Sequence, residues 1–448
     1  MPLLGMLPAI RRDPAGVFMR AARQFGDVVY LKIGPRRGYL ITNPEDIRHV
    51  LQDNARNYHK SPLYGKLRMY LGNGLLTSED QLWLRQRRIA QPAFHRQRMA
   101  ALAGVMADAA RDAAARWQSL ASGGQPVDVD EEMMRLTRTV VVRALLGADL
   151  GPFTSKIDQA WTTINQHIGE SFWSLGFTDR LPTPKYRRFQ AALAVLRGAV
   201  DHVIAERRRG AADSADLLSM MMSARDEETG EAMNDEQLRV EVTTFLLAGQ
   251  ETTSLALTWT WYLLSQHPGA QRRLEDEIDV VLNGRPPEYS DLVNLPYLRM
   301  VIDEAMRLYP PAWGFSRQAL ADDRLGGFRL PRGWLAFVIP YVLHRLPAFW
   351  PDPEAFDPER FSPERSADRP KFVYIPFGAG PRQCIGNQFA LIETQLSVAT
   401  FAQLYRLHLA PGHKVEPWPL ITLRPRFGMP MTIERRTRSL RRLEPASR

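Results

Sequence analysis

The chain has 448 residues, 45% of them hydrophobic and 24% charged, with a formal net charge of +9 and one cysteine. That length admits one large domain or two to three ordinary ones, and no apolar run of about 18 residues occurs, which excludes a membrane-spanning helix. A lone cysteine excludes an intrachain disulfide, and the short apolar start, broken by Pro2 and Pro8, lacks a signal-peptide layout, so a cytoplasmic protein is expected.

In chain order, Val28 to Ile33 and Tyr39 to Thr42 read as a β-hairpin around a Gly34–Gly38 turn. Asn43-Pro44 opens a short helix through Leu51. Tyr58 to Glu79 reads as a loop, although Tyr64, Leu67, Met69 and Tyr70 make it unusually apolar. Trp83 and Arg87 follow, four apart and so on one helix face. Helices then dominate from Met99 to Gly147, broken at Ser122–Pro126, and from Phe153 to Arg209, broken at Leu181–Pro184. Phe172, Trp173, Leu175 and Phe177 cluster before the second break. A long helix is expected from Asn234 to Ser265. Asn234 with Gln237 resembles a capping box, and His267-Pro268 stops the helix. Its middle, Ala248-Gly249-Gln250-Glu251-Thr252-Thr253, holds a helix-weakening glycine and two threonines, which needs a reason beyond helix formation. A mid-helix threonine can bond the carbonyl four residues back and open a groove. Further helices read as Gln266–Leu282 and Tyr297–Leu308, the latter carrying Glu304 and Arg307 on one face. Strand-like runs follow at Gly327–Leu330 and Trp334–Ile339, with a late hairpin at Leu420–Leu423 and Met429–Ile433. Arginines crowd the end of the chain. Residues 435–448 are expected to form a flexible basic tail, the alternative being a basic surface that docks an acidic electron-transfer protein. No nucleic-acid motif accompanies this charge, so nucleic acid is not expected as a partner.

The cysteine stands in Phe377-Gly378-Ala379-Gly380-Pro381-Arg382-Gln383-Cys384-Ile385-Gly386. Three glycines and a proline make this an ordered turn in which backbone can approach a flat ligand closely. A helical pattern follows, so Cys384 sits at a helix N-terminus, where free N–H groups, the helix dipole and Arg382 favour a thiolate. Phe377, Gly380, Arg382, Cys384 and Gly386 match every fixed position of the haem-binding loop of the cytochrome P450 family. The chain is therefore identified as resembling that family over nearly its whole length.

The resemblance implies a mainly α fold with small β-sheets, a helix-rich part plus a smaller β-rich region, as a single domain spanning 1–448. It implies haem b (iron protoporphyrin IX), with Cys384 as axial iron ligand and Phe377, Gly378 and Gly386 around the sulfur. Arg382, Trp83, Arg87 and Arg317 would face the propionates. Ala248 and Gly249 would leave room for haem and O2, Thr252 would hydrogen-bond the bound dioxygen, and Glu251 would relay protons. Glu304, Arg307 and Arg360 would form a buried structural triad. His344 is read as a buried structural histidine. Tyr64, Leu67, Tyr70, Phe172, Phe245, Ala312, Trp313, Phe315 and Ile421 are the substrate-pocket candidates. Arg85, Arg88, Arg96 and Arg98 are candidate redox-partner contacts.

The function implied is a monooxygenase that hydroxylates or epoxidises a lipophilic small molecule such as a fatty acid, terpenoid or polyketide-like compound. A proton-relay pair argues against a peroxide-driven peroxygenase, a peroxide-rearranging enzyme and a non-catalytic haem sensor. The chain ends about sixty residues after Cys384, which leaves no room for a fused reductase. Electrons are therefore expected from a separate ferredoxin or flavodoxin with its reductase. A monomer without a transmembrane anchor is expected.

Overall fold

A computed structural model describes residues 5–147, 154–171, 183–210 and 216–437. Its axis is the helix Asp235–Gln266. The capping box is present: Gln237 N–H donates to Asn234 Oδ1 at 2.9 Å, and Asn234 N–H donates to Gln237 Oε1 at 3.2 Å. His267 caps the far end, and Pro268 begins the next helix, Pro268–Leu282. With 32 residues the axis spans about 48 Å. It carries Trp259 and Trp261 at 0% and 2% exposure, so it runs through the core and not over it. The helices Val129–Leu146, Pro184–Arg208, Pro296–Leu308 and Asn387–Leu404 pack around it.

A second, smaller core lies under a five-stranded sheet. Its order is Val28–Ile33, Arg36–Ile41, Leu335–Val338, Phe315–Ala319, Tyr58–Lys60. Only the pairing of Arg36–Ile41 with Leu335–Val338 is parallel. The mainly α fold with small sheets is as expected. Two local readings differ. The hairpin turn is tighter, because Arg36 to Gly38 already pair with Ile33 to Leu31. The stretch read as a loop contains the strand Tyr58–Lys60 and the helix Tyr64–Leu71. Its apolar residues are the buried face of that helix, a signal weakened by Gly65 and by a length of only two turns.

The expected pairing of Leu420–Leu423 with Met429–Ile433 does not form: residues 420–422 are the turn of a hairpin between Pro417–Pro419 and Leu423–Pro425, and Pro430–Arg435 pairs with Tyr405–Leu409 instead. This late hairpin bridges the two cores. The indole N–H of Trp259, in the helical core, donates to Leu423 O at 2.9 Å. That of Trp313, in the sheet core, donates to Leu420 O at 2.8 Å. Two residues expected in the flexible tail, Arg435 and Arg436, are instead held by the fold. Arg435 ends the strand Pro430–Arg435, and Arg436 is only 6% exposed, donating to Ala402 O at 2.5 Å and pairing with Asp279 at 2.8 Å. Residues 438–448 lie outside the described residues.

The predicted triad forms behind the cysteine loop. Arg307 donates to the two Glu304 oxygens at 2.6 and 2.9 Å, and Arg360 Nε lies 3.3 Å from Glu304 Oε1. All three are buried. Arg307 also donates to His344 O, Pro353 O and Ala355 O at 2.7 to 3.0 Å, and Glu304 accepts the Asp357 N–H at 2.9 Å. His344, wholly buried, accepts the Ile375 N–H on Nε2 at 3.0 Å, which fixes the approach to the loop. Burial and the nearby Arg307 and Arg345 hold it well below the usual histidine range, as a neutral structural acceptor. Replacing Glu304 with Gln leaves two buried guanidinium groups without their counter-charge. Urea unfolding should show a loss of about 3–5 kcal/mol, and a loss under about 1 kcal/mol would contradict a load carried by the triad.

Candidate active site

The cysteine loop is set by its own backbone. Gly378 N–H donates to Ile375 O, Gln383 N–H to Gly380 O and Cys384 N–H to Phe377 O, each at 3.0 Å. Gly380 adopts φ +69°, and a Cβ there would stand 1.9 Å from Leu51 O, so only glycine fits. The helix itself begins at Asn387, three residues past the cysteine. That changes the expected electrostatics. Burial raises the Cys384 pKa, and the Gly386 N–H and Arg87 pull it down without compensating. Arg87, not Arg382, is the cation that acts on the sulfur. The sulfur is enclosed by protein yet open to an internal cavity, and metal coordination there would deprotonate the thiol outright.

That cavity measures about 330 Å³. Cys384, Phe377, Gly378 and Gly386 form one wall, and Phe245, Ala248, Gly249 and Thr252 of the central helix face them. Its described lining includes four cations, Lys60, Arg87, Arg317 and Arg382, and no carboxylate. Arg382 lies 3.9 Å from the Trp83 ring centroid, donates to Ser78 O at 2.9 Å and pairs with Glu79. Burial lowers its pKa to about 10 despite Glu79. Arg87 Nη1 donates to Gln383 O at 3.0 Å, tying the helix Asp80–Ala90 to the loop. The sequence pairing of Trp83, Arg87, Arg317 and Arg382 around one space is thus met. Lys60 was missed: one lysine in a three-residue strand carries no periodic or motif signal. Such a rim favours an anionic occupant, and a single thiol at the wall favours a metal with one protein ligand. A haem, flat and carrying carboxylates at one edge, fits this donor set.

On the opposite wall Thr252 Oγ1 donates to Ala248 O at 2.8 Å, the back-bond expected of a mid-helix threonine. A Cβ at Gly249 would crowd Val141 at 3.2 Å. Glu251 points into a second chamber of about 290 Å³. There its Oε1 accepts from Arg424 Nε at 2.7 Å and from the Thr422 hydroxyl. Ala248 and Thr252 line both chambers, so Thr252 shares the second chamber with Glu251.

Of the pocket candidates, Tyr64, Ala312 and Phe315 line both chambers, Phe245 the first, and Leu67 and Ile421 the second. Two do not line either. Tyr70 is 1% exposed and packs edge-on against Phe189 at 4.8 Å, because its helix face turns inward to the core. Trp313 is spent on Leu420 O. Phe172 lies outside the described residues. Leu75, Leu76 and Thr422 line the chambers too, while Leu247 and Arg424 were missed, the first as one more leucine of the central helix and the second as a lone arginine in the strand Leu423–Pro425. Arg85 and Arg88 are not free for a redox partner. Arg85 donates to Ala232 O at 2.8 Å, and Arg88 pairs with Asp226 at 2.8 Å and with Glu228.

The Cytochrome P450 family profile matches residues 1–429. Cyclooctatin synthase of Streptomyces melanosporofaciens is 40% identical over 94% of this chain and 92% of its own. Cyclooctat-9-en-7-ol 5-monooxygenase of the same organism is 39% identical over 92% and 89%. Pentalenene oxygenase of Streptomyces avermitilis is 34% identical over 94% and 93%. The crystal structure of the cytochrome P450DA heme domain superposes with a TM-score of 0.87 at 30% identity, over 98% of this chain and 96% of that one. No helix among the described residues is long and apolar enough to cross a membrane. Loop, cavity and relatives agree: the chain belongs to the cytochrome P450 family and is a haem-thiolate monooxygenase.

Proposed function

We propose that this enzyme hydroxylates a lipophilic, cyclic terpenoid with haem b as its cofactor. The carrying observation is the pair of joined chambers, whose walls are mainly apolar and whose charged groups, among the described residues, sit at two places, the cationic rim and the Glu251–Arg424 pair. An apolar substrate in such a space is oriented by shape, with few polar anchors. The relatives' names, which specify cyclooctat-9-en-7-ol and pentalenene, support a terpenoid over a fatty acid.

Cys384 would hold the iron, and Lys60, Arg87, Arg317 and Arg382 with Trp83 would hold the cofactor's carboxylates. When bound, the haem supplies activation of O2, with the thiolate favouring O–O cleavage. The chain supplies the rest. Ala248 and Gly249 leave space beside the central helix. Glu251 takes protons in the second chamber and passes them to the Thr252 hydroxyl, which lines the same chamber and whose lone pairs stay available while its hydrogen bonds Ala248 O. Arg424 anchors Glu251 between transfers. Phe315, Leu76 and Phe245 exclude bulk water from the reacting space. Electrons come from a separate ferredoxin or flavodoxin with its reductase, delivered to a cytoplasmic, monomeric enzyme.

Two outcomes follow. Cys384→Ser should abolish the red-shifted Soret band of the ferrous–CO complex, and its persistence would remove Cys384 as ligand. With a ferredoxin system and a cyclic terpene, Glu251→Gln should slow product formation by about 10²-fold, and Thr252→Ala should keep consuming reductant while product falls. Turnover with peroxide but never with reductase and O2 would overturn the monooxygenase cycle described.

A further inference from the structure

Beside the cationic rim, the first chamber is walled by Leu75 and Leu76, in the loop between the helices Tyr64–Leu71 and Asp80–Ala90. Leu76 lines both chambers. Two charged side chains grip this pair from opposite sides. From the central helix, both carboxylate oxygens of Glu241 accept the Leu75 N–H, at 2.9 and 3.0 Å. From the strand Tyr58–Lys60, Lys60 Nζ donates to the carbonyls of Leu75 and Leu76, at 3.3 and 2.5 Å. Gly72 and Gly74 permit the close approach, since a Cβ at either would stand 2.9 or 2.8 Å from Val240 methyl groups.

Glu241 is at 0% exposure, and among the described residues the Leu75 N–H is its one hydrogen-bond donor. A buried carboxylate so poorly supplied with donors carries a large desolvation cost. Core packing gives no reason for it, since an apolar residue would fill the space without that cost. Its position against the cavity wall does give one. We propose that Glu241 is a positioning residue for the substrate: with Lys60 it sets how closely Leu75–Leu76 approaches the space above Cys384, and ionisation of Glu241 tightens that wall. This rests on reading the two chambers as the substrate site.

Burial pushes the Glu241 pKa up to about 7, with the Leu75 N–H and Lys60 pulling it down. The other charged groups on the surrounding elements are committed elsewhere. Arg68 donates to Thr77 O, Arg197 to Tyr70 O and Arg85 to Ala232 O, while Glu79 accepts the Lys60 N–H. Lys60 is itself lowered to about 7, first by burial and then by Arg382, with Arg317 and Arg68 adding and Glu79 opposing. Carboxylates of a haem held at the rim would raise it again, which would leave Glu241 as the member of the pair that titrates near neutrality. Above that point the carboxylate makes a charge-assisted bond to Leu75 and attracts Lys60; below it, one oxygen becomes a donor and that grip weakens. Global stability moves the other way. The folded state keeps the Glu241 proton to higher pH than the unfolded chain, so this contribution is full below the ordinary glutamate range and is lost as pH rises to about 7.

Hydrogen–deuterium exchange on the haem-loaded protein, corrected for intrinsic rates, tests the clamp. In wild type the Leu75 amide should be about tenfold better protected at about pH 8 than at about pH 6. Glu241→Gln keeps an acceptor but no charge, so it should remove the pH dependence and hold the lower protection at both values. Glu241→Leu should lose protection at Leu75 alone, with exchange in the rest of the central helix unchanged. Identical pH responses in wild type and Glu241→Gln overturn the proposal. Spectral titration with imidazole and with 1-dodecylimidazole tests the link to the substrate. Glu241→Gln should weaken only the long-chain probe, by about fivefold at the higher pH. Equal effects on both probes, or none, overturn the role in substrate fit even where exchange shows the clamp. A wild type that binds imidazole but not the long chain points instead to a failure of the substrate-site reading.

Discussion

The structure depends first on one buried carboxylate. Glu304 holds two guanidinium groups that would otherwise be uncompensated charges in a dry interior, and through them it fixes the chain from Pro351 to Asp357. Arg307 also bonds the carbonyl of His344, whose ring accepts the Ile375 N–H two residues before the loop. The position of the cysteine is thus inherited, link by link, from an ionic contact far from any reacting atom. The arrangement is stiff because each link is buried and most of its polar atoms are paired.

A second constraint is electrostatic. Four cations rim a space whose described lining holds no carboxylate, and burial lowers the pKa of Lys60 and Arg382 there. Repulsion among them favours an anionic occupant. The same logic applies to the sulfur, whose pKa burial raises and a bound metal would lower. Cofactor affinity is therefore built from two unfavourable electrostatic situations that one ligand relieves together.

The parts legible in the sequence were those whose chemistry is local. The cysteine loop, the capping box of the central helix and the Glu304–Arg307 spacing each sit within ten residues, so pattern alone carries them. Tyr70 and Trp313 were misassigned because aromatic character does not say which way a side chain turns. Tyr70 faces the core, and the Trp313 indole is committed to a carbonyl more than a hundred residues away. Lys60, Glu241 and Arg424 were invisible for the opposite reason. Each is a single charged residue without motif, and only the fold brings them to a cavity. The helix starts later than the pattern around the cysteine suggested, at Asn387, so burial and not the helix end is the first influence on the Cys384 pKa.

The late hairpin has a meaning beyond its place in the wall. One buried indole from each core grips it, Trp259 at Leu423 and Trp313 at Leu420. Between those two grips lies Thr422, whose hydroxyl bonds Glu251. Any relative displacement of the helical and sheet bodies must therefore strain the hairpin or move its tip. The hairpin works as a caliper whose jaws rest on the two cores and whose pointer touches the Glu251 carboxylate.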